Sequence, residues 1–334
     1  MGVEDARSAQ SVIGHQWAIE LLERGCAQGH PSHAYLFVGP PRIGKTTLAL
    51  HLAQTLNCLD PQVRPCGHCS ACRKVQRGVH PDVRVLDEPA SSIKIEHIRE
   101  LQQEIALSPF EGRWRVSVLC DFQRATSEAA NCLLKTLEEP PPKAVIVLTA
   151  AEAQALLPTI ISRCQVFQLR PLAVEQVSQA LQSRSKLEPS RAELLARLSE
   201  GRVGWAIAAS VDETLLRDRE KYLVALEQAL QQDRVTRIHM AQRLARNAET
   251  LPDVFDLWQS WWRDVLLAKS GHLEALTNVD REATALNEAQ HHTLAEIVSC
   301  LKAVQQAAQQ VEQNVNPSLA MEILLLKLPH AQAV

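Results

Sequence analysis

The segment Gly39–Thr46 constrains this chain more than any other, because it fits the phosphate-binding pattern G-x-x-x-x-G-K-[ST]. It follows the apolar run Ala34–Val38, a candidate buried strand, and precedes the helical pattern Thr47–Leu56. A strand, such a loop and a helix in this order place backbone N–H groups and the helix N-terminus toward phosphates. We expect Lys45 to neutralise phosphate charge and Thr46 to hold Mg²⁺.

Short apolar runs alternate with helical patterns through the first half of the chain. This alternation predicts an α/β core with a mainly parallel sheet and helices on both faces. Further strand candidates are Val83–Leu86, Val116–Leu119 and Val145–Leu148. A helix from Thr126 to Glu138 is predicted to end before the prolines that follow it.

Another helix is predicted between the second and third strand candidates. Its apolar face carries Ile95, Ile98, Leu101 and Ile105, at spacings of three, three and four residues. Ser92 is placed to cap its N-terminus.

Beyond Leu169 the strand patterns stop, and the chain becomes helical and rich in alanine, glutamine and leucine. Pro171 marks a boundary, and a second lies near Ser210–Asp212, where a small helical segment gives way to a longer one. We therefore predict a core over residues 1–169, a small helical domain over 170–210 and a larger one over 211–334. Helical domains of this composition are typical of packing or assembly modules.

The charge balance argues against a protein that coats nucleic acid by bulk charge, since 35 lysines and arginines face 38 acidic residues. No apolar run approaches the roughly 20 residues of a membrane helix. The segment Met1–Gln10 is polar and lacks the apolar centre of a signal peptide. We expect a cytoplasmic protein, without membrane contact, whose nine cysteines are reduced, metal-bound or buried.

Four cysteines follow the helix of the phosphate loop in the spacing C-x7-C-x2-C-x2-C. They are Cys58, Cys66, Cys69 and Cys72. Four thiolates so close in sequence predict a tetrahedral structural Zn²⁺ site, which leaves no position open for a substrate. His68 and His80 lie nearby in sequence, but four thiolates already fill the coordination shell.

The end of the third strand candidate departs from the pattern of a hydrolytic centre. In phosphate-loop ATPases a second strand ends in an aspartate for Mg²⁺, followed by a glutamate that can activate water. Here Val116–Leu119 is followed by Cys120 and Asp121. A neutral thiol is a poor ligand for a hard cation, and Asp121 is shifted by one residue, which turns a strand side chain to the other face. We predict that the loop binds ATP or ADP with Mg²⁺ weakly, or holds an anion, without efficient turnover.

Several segments, in matching order, resemble the AAA+ subunits of bacterial clamp loaders. Besides the cysteine cluster, they are Val12–Gln16, His33–Pro40, Gly44–Thr46, Asn131–Pro141, Ser162–Cys164, Trp262–Asp264 and Asn314–Pro317. The resemblance covers nearly the whole chain. It implies an AAA+ core, a small helical lid and an all-helical collar for the three predicted domains.

The resemblance also implies a set of nucleotide-binding residues. They are Val12, Ile13, Gly39, Pro40, Pro41, Arg42, Ile43, Gly44, Lys45, Thr46 and Thr47.

Two departures favour the delta-prime type of subunit over the tau/gamma motors of the same family. The motors carry Asp-Glu where this chain has Cys120–Asp121, and an arginine that senses the γ-phosphate where it has Gly204, with Arg202 out of register. The delta-prime type implies a ring-closing scaffold with little or no ATPase activity of its own. Its implied partners are tau/gamma and delta subunits in a hetero-pentameric ring, which loads the sliding clamp onto primed DNA in an ATP-dependent reaction.

Arg163 is the residue that we expect to act in the site of a neighbouring subunit. It lies just before the boundary at Pro171, so it can project out of its own core. An arginine finger supplied in trans stabilises charge on the γ-phosphate and is typically worth roughly 10³–10⁵ in rate. The alternative is that Arg163 makes a local salt bridge.

Two other functions stay open. The chain could be a tau/gamma-type motor ATPase, for which Cys120 is the discriminating residue. It could also be a solitary zinc-containing AAA+ ATPase that binds DNA. The basic neighbours of the cysteines that would serve this purpose are Arg64, Arg73, Lys74 and Arg77. We favour a solvated surface for them.

Three tryptophans at helical spacing, Trp258, Trp261 and Trp262, could stack on bases. Because apolar residues surround them in sequence, we predict that they pack in a core or against another subunit.

Overall fold

The computed structural model describes residues 12–87, 92–313 and 315–329. The predictions for Met1–Gln10 and Asn314 fall outside these residues. The chain forms two compact units, one of Met1–Gln176 with Gly201–Trp205 and one of Val177–Glu200 with Ala206–Val334. The finer division at 169 and 210 stays a prediction.

A parallel sheet forms the centre of the first unit. Its strands are β1 (Ala34–Val38), β2 (Val83–Leu86), β3 (Arg115–Leu119), β4 (Ala144–Ala150) and β5 (Gln165–Gln168). Their order is β2-β3-β4-β1-β5, and every neighbouring pair is parallel. The carboxyl ends of all the strands therefore lie at one edge of the sheet.

Helices cover both faces of this sheet, as the alternation of strands and helices predicts. They are α1 (Gln16–Ala27), α2 (Lys45–Asn57), α3 (Ser70–Gln76), α4 (Ile95–Ile105), α5 (Ser127–Glu138) and α6 (Pro158–Ile161). Residues of β1 alternate between two apolar clusters. Leu36 packs with buried residues of α4 and α5, whereas Tyr35 and Phe37 pack with those of α1 and α2.

Local chemistry explains where two of these helices begin. Thr126 caps α5, since its hydroxyl accepts the Ala129 N–H at 3.2 Å. The prediction that Ser92 caps α4 is wrong, because the N-cap residue is Lys94. The Lys94 N–H lies 3.4 Å from Nδ1 of His97.

Strand β5 was not predicted from the sequence. It is short and lies at the edge of the sheet, and only Phe167 of its four residues is buried. An exposed edge strand with one inward side chain lacks the apolar run by which the other strands are recognised.

The remainder of the chain is helical. Its helices are α7 (Val174–Ser185), α8 (Pro189–Leu198), α9 (Val203–Val211), α10 (Thr214–Gln231), α11 (Arg234–Ala245), α12 (Leu251–Lys269), α13 (Glu282–His291), α14 (Leu294–Glu312) and α15 (Pro317–Lys327). Residues of α10 to α15 form the apolar core of the second unit.

The tryptophans of α12 lie in that core, as predicted. Trp258, Trp261 and Trp262 are each at most 1% exposed, so packing accounts for all three and base stacking by them is excluded. Among the described residues, we find no helix with the length and hydropathy to cross a bilayer.

Candidate nucleotide site and metal centre

The phosphate loop crosses the carboxyl edge of the sheet between β1 and α2. Gly39 has φ 156°, and a Cβ at this position would lie 2.7 Å from the carbonyl oxygen of Leu169. Its N–H donates to the carbonyl of Ala150 at 3.1 Å. Gly44, with φ 109°, is the N-cap of α2. Glycine at both positions therefore lets the loop turn from the strand into the helix.

Lys45 is buried beneath this loop. Its Nζ donates to the carbonyl oxygens of Gly39 at 2.6 Å and Pro40 at 3.1 Å. Burial lowers the pKa of Lys45, although Asp121 and Cys120 oppose that effect. The ammonium group is thus held by the loop's own carbonyls, and a phosphate would have to compete with them for it.

The next residue of the loop meets the thiol that the sequence singles out. Oγ1 of Thr46 lies 3.6 Å from Sγ of Cys120. Burial raises the pKa of Cys120 to about 11, so the thiol is neutral at pH 7. The side chain that faces the hydroxyl predicted to hold Mg²⁺ is therefore uncharged and soft, which suits a hard cation poorly.

Asp121 follows at a sharp bend rather than along the strand. Its backbone is left-handed, with φ 47°, and its N–H donates to the Thr149 hydroxyl at 2.9 Å. Thr149 is buried near the carboxyl end of β4 and was not predicted from the sequence. A lone hydroxyl in the otherwise apolar strand Ala144–Ala150 is the pattern that points to it.

Gly204 lies against the phosphate loop. Its N–H donates to the Arg42 carbonyl at 2.9 Å, and an added Cβ would lie 2.6 Å from that oxygen. An arginine at this position would therefore require the backbone to move. By resemblance, Gly204 stands where motor subunits carry the arginine that senses the γ-phosphate. Its close approach to the loop explains why a side chain does not fit there.

Two of the other expected nucleotide-binding residues, Val12 and Ile13, are half-buried, and Val12 packs against the sheet core. His15 is buried beside them and hydrogen-bonds the backbone of Ile43. Burial lowers the pKa of His15. Within the described residues its Nε2 has no hydrogen-bond partner, and no role was predicted for it from the sequence.

The four predicted metal ligands come together at the far end of α2. The sulfur atoms of Cys58, Cys66, Cys69 and Cys72 all lie within 4.8 Å of one another. A tetrahedral zinc site with Zn–S bonds of about 2.3 Å places its sulfurs about 3.8 Å apart, so the cluster fits such an ion.

Backbone hydrogen bonds prepare three of the sulfurs to act as thiolates. Sγ of Cys58, Cys66 and Cys69 accepts the N–H of Cys66, Cys69 and Cys72 respectively, at 3.3–3.4 Å. Although burial opposes it, hydrogen bonding from the Cys72 N–H helps to lower the pKa of Cys69 to about 6. Burial raises the pKa of Cys58 and Cys72, and a metal ion would remove that penalty by replacing their protons.

Neither nearby histidine belongs to the four-sulfur group, although His68 offers a ligand atom within 4.8 Å of the Cys66 sulfur. Nδ1 of His68 lies 2.8 Å from the Cys66 carbonyl oxygen, and His68 groups with Asp60 and Cys66 in a less complete set of potential ligands. His80 is buried, and its Nδ1 accepts the Asp82 N–H at 3.1 Å.

A second loop is fixed beside the cysteines by two buried acceptors. The carboxylate of Asp82 accepts three backbone N–H groups, from residues 110–112, at 2.6–2.9 Å. Oδ1 of Asn57 accepts the N–H groups of Arg113 and Trp114 at 2.8 and 2.9 Å. Arg113 also donates to the Cys58 carbonyl. The cysteine segment is thereby tied to the beginning of β3.

Helix α2 separates the two sites. It begins at the phosphate loop and ends at Asn57, one residue before Cys58. A helix of 13 residues is about 20 Å long. A metal held by the cysteines therefore lies too far away to take part in phosphate chemistry.

Arg163 lies just after α6. One terminal nitrogen donates to the Thr159 carbonyl at 2.8 Å, and the other lies 2.7 Å from Oε1 of Glu138. The local salt bridge weighed above is thus present, although the Arg163 side chain is still 34% exposed.

Two family models and one relative of similar length identify the family of this chain. A family model described as "DNA polymerase III, delta subunit" matches residues 14–173, and one described as "DNA polymerase III, delta subunit, C terminal" matches 213–330. DNA polymerase III subunit delta' of Bacillus subtilis is 30% identical over 314 residues, covering 93% of this chain and 94% of that protein.

Other matches cover less of the two chains or have lower identity. DNA polymerase III subunit tau of Escherichia coli is 37% identical over 196 residues, which span 57% of this chain and 30% of tau. A solved DNA polymerase III gamma subunit-related protein from Thermotoga maritima is 18% identical, with a TM-score of 0.46, over 93% of this chain and 98% of that one.

Proposed function

Since the chain belongs to the delta-prime family of DNA polymerase III clamp-loader subunits, we propose that it closes a ring of AAA+ subunits and assists a neighbouring motor without hydrolysing ATP itself. The observation that carries this proposal is the 3.6 Å contact between Thr46 and Cys120. A phosphate-loop motor needs a carboxylate there to hold Mg²⁺. The approach of Gly204 to the Arg42 carbonyl, which leaves no room for a sensor arginine, supports it independently.

The phosphate loop keeps a binding role in this proposal. Its glycines, Lys45 and Thr46 are all in place, so ATP, ADP or another anion binds weakly at the N-terminus of α2. Because Lys45 already donates to two loop carbonyls, binding must displace those contacts. The loop then acts as a structural ligand site rather than as a hydrolytic centre.

Arg163 supplies the catalytic contribution in trans. Its ion pair with Glu138 is partly exposed, and such pairs contribute only about 0–1 kcal/mol. Exchanging Glu138 for a phosphate of the adjacent subunit therefore costs little. A planar guanidinium can then make paired hydrogen bonds to the phosphate oxygens.

Zn²⁺ is the metal that the cysteine cluster holds in this proposal. Four sulfur ligands favour zinc over harder divalent cations, and a closed four-thiolate site is structural. The ion would stabilise the fold of the segment between α2 and β2 rather than act on a substrate.

The collar supplies the contacts with tau/gamma and delta subunits. Helix α15 exposes an apolar stripe of Leu319, Ile323 and Leu326, which are 50%, 38% and 41% exposed. Spacings of four and three residues place them on one face of the helix. In the assembled ring this face packs against a neighbouring helix, and the ring as a whole meets the sliding clamp and primed DNA.

Phosphate release by the isolated chain tests the proposal, with Lys45→Ala as its control. We expect the natural chain and the Lys45→Ala variant to release phosphate at the same rate. We also expect the chain to co-purify with tau/gamma and delta subunits. Turnover at a motor's rate that Lys45→Ala abolishes would identify the chain as a motor ATPase instead. Failure to assemble with those subunits would refute the scaffold role.

A further inference from the structure

We propose that a cavity at the amino edge of the sheet, remote from the phosphate loop, binds a nucleotide through the guanidinium groups of Arg64 and Arg113. The cavity has a volume of about 490 Å³, within the usual range of small-ligand sites, about 300–1,000 Å³. The ligand is either a free nucleotide or one nucleotide of a single strand, since both present the same phosphate and base.

The cavity borders the cysteine segment but is separate from the phosphate loop. Its walls are formed by the ends of α1 and α2, the cysteine segment and the residues that lead into β3. Among the lining residues are Glu23, Cys26, Leu56, Arg64, Arg113 and Trp114. The length of α2 lies between this cavity and the phosphate loop, so one mononucleotide cannot occupy both.

Both arginines keep donors free for a ligand. A guanidinium has five N–H donors, and the hydrogen bonds of these two go to backbone carbonyls. Nε of Arg64 donates to the Asp60 carbonyl at 2.8 Å, and Arg113 donates to that of Cys58. Within the described part of the chain, neither makes an ion pair with a carboxylate. The carboxylate of Asp60 is itself held by the N–H groups of residues 62 and 63, at 2.8 and 3.0 Å.

Two guanidinium groups and one carboxylate line the cavity, so the cations outnumber the acid. Glu23 is the carboxylate among the lining residues, and its Oε1 lies 3.1 Å from Nε2 of His51. Burial, with a smaller contribution from Glu23, raises the pKa of Cys26 to about 11. The Cys26 thiol is therefore neutral and adds no negative charge.

Trp114 supplies an aromatic surface for the base. Its backbone is fixed on both sides by Asn57, which accepts its N–H at 2.9 Å and donates to its carbonyl at 3.0 Å. The side chain is half-buried, lines the cavity and packs against the sheet core. An aromatic ring on a fixed backbone, beside two cations, is a combination that binds nucleotides by stacking and phosphate contacts.

The test measures binding in the full-length chain carrying Lys45→Ala, which silences the phosphate loop. One arm follows the fluorescence anisotropy of a short labelled oligothymidylate, and the other titrates AMP by calorimetry. We expect Arg64→Gln with Arg113→Gln to weaken binding about tenfold or more, since each removes a charge-assisted contact. For the oligonucleotide, the slope of log affinity against log salt should fall by about 1.4, or about 0.7 per lost phosphate contact.

Arg73→Gln is the matched control, because Arg73 is an exposed arginine of α3 that does not line the cavity. Zinc content is measured in every variant. Trp114→Leu, which keeps both arginines, provides a second test that leaves the contact between Arg113 and Cys58 in place.

Weakened binding of AMP in the double variant and in Trp114→Leu assigns the cavity to free nucleotides. The same effect on the oligonucleotide alone assigns it to single strands. The proposal is overturned if neither probe binds the Lys45→Ala chain, if the double variant binds both probes unchanged, or if Arg73→Gln has an equal effect.

Discussion

Oγ1 of Thr46 lies 3.6 Å from Sγ of Cys120. This contact shows what replaces the Mg²⁺-binding carboxylate of a motor subunit. The hydroxyl that would hold Mg²⁺ meets a neutral thiol instead of a carboxylate. A magnesium ion would therefore keep fewer protein ligands here than in a hydrolysing relative. The loop can therefore bind phosphate, but without a well-held metal ion it polarises the phosphate poorly.

Nucleotide binding should consequently be nearly independent of Mg²⁺ in the natural chain. Introducing a carboxylate by Cys120→Asp should make ADP binding about tenfold tighter with Mg²⁺ than with EDTA, because a hard oxygen ligand is restored. Cys120→Ser is the control of similar size without the charge. Calorimetry with and without Mg²⁺ gives the comparison, and a strong Mg²⁺ dependence in the unmodified chain would count against our account of Cys120.

The cysteine cluster predicts about one zinc ion per chain. Cys69→Ser should lower both the zinc content and the melting temperature, because ligand loss removes binding energy that stabilises the fold. Cys132→Ser, at a half-buried cysteine outside the cluster, should change neither. Elemental analysis with thermal unfolding decides the matter, and a zinc-free chain of unchanged stability would show that the cluster is not a metal site.

Asp82 should make the first unit sensitive to acid. Burial would raise its pKa, but the N–H groups of Phe110, Gly112 and Glu111 and the charge of Arg115 outweigh that effect and lower it. A lowered pKa in the folded state adds stability above the unfolded pKa of about 3.9, and this stability is lost as pH falls through the folded value.

Asp82→Asn should accordingly lower the free energy of unfolding by about 2 kcal/mol at pH 7, since it removes charge-assisted hydrogen bonds. The difference from the natural chain should shrink below about pH 3.9. Asp253→Asn, an exposed aspartate in the first turn of α12, is the control. Denaturant unfolding across pH measures both, and a difference that stays constant down to pH 2 would contradict the assignment.

Much of the first unit could be predicted from sequence because its determinants are local. The run Ala34–Val38 and the loop after it fix β1 and the start of α2, and Thr126 together with the following prolines bounds α5. The spacing of the four cysteines was enough to place them in one cluster. These features depend on periodicity, capping and turn residues, all of which lie within a few positions of one another.

What the sequence did not reveal depends on distant partners. Thr149 gains its role from Asp121, which is 28 residues away in sequence. Arg237 is buried, with hydrogen bonds to the backbone carbonyls of residues such as Leu325 and Leu328. No residue spacing in the sequence predicts such a contact between α11 and the end of α15. A local salt bridge of Arg163 was weighed as an alternative, but its partner Glu138 is brought to the end of α6 only by the fold.

The most direct test of the central claim is the reconstituted loader carrying Arg163→Ala, compared with one carrying Glu138→Gln. Glu138→Gln frees Arg163 from its ion pair but keeps the guanidinium, so it should load clamps at nearly the natural rate. Arg163→Ala should leave assembly intact while hydrolysis at the adjacent motor site falls by about 10³-fold or more, and clamp loading should fall with it. Hydrolysis and clamp loading at the natural rate in the Arg163→Ala loader would contradict the account.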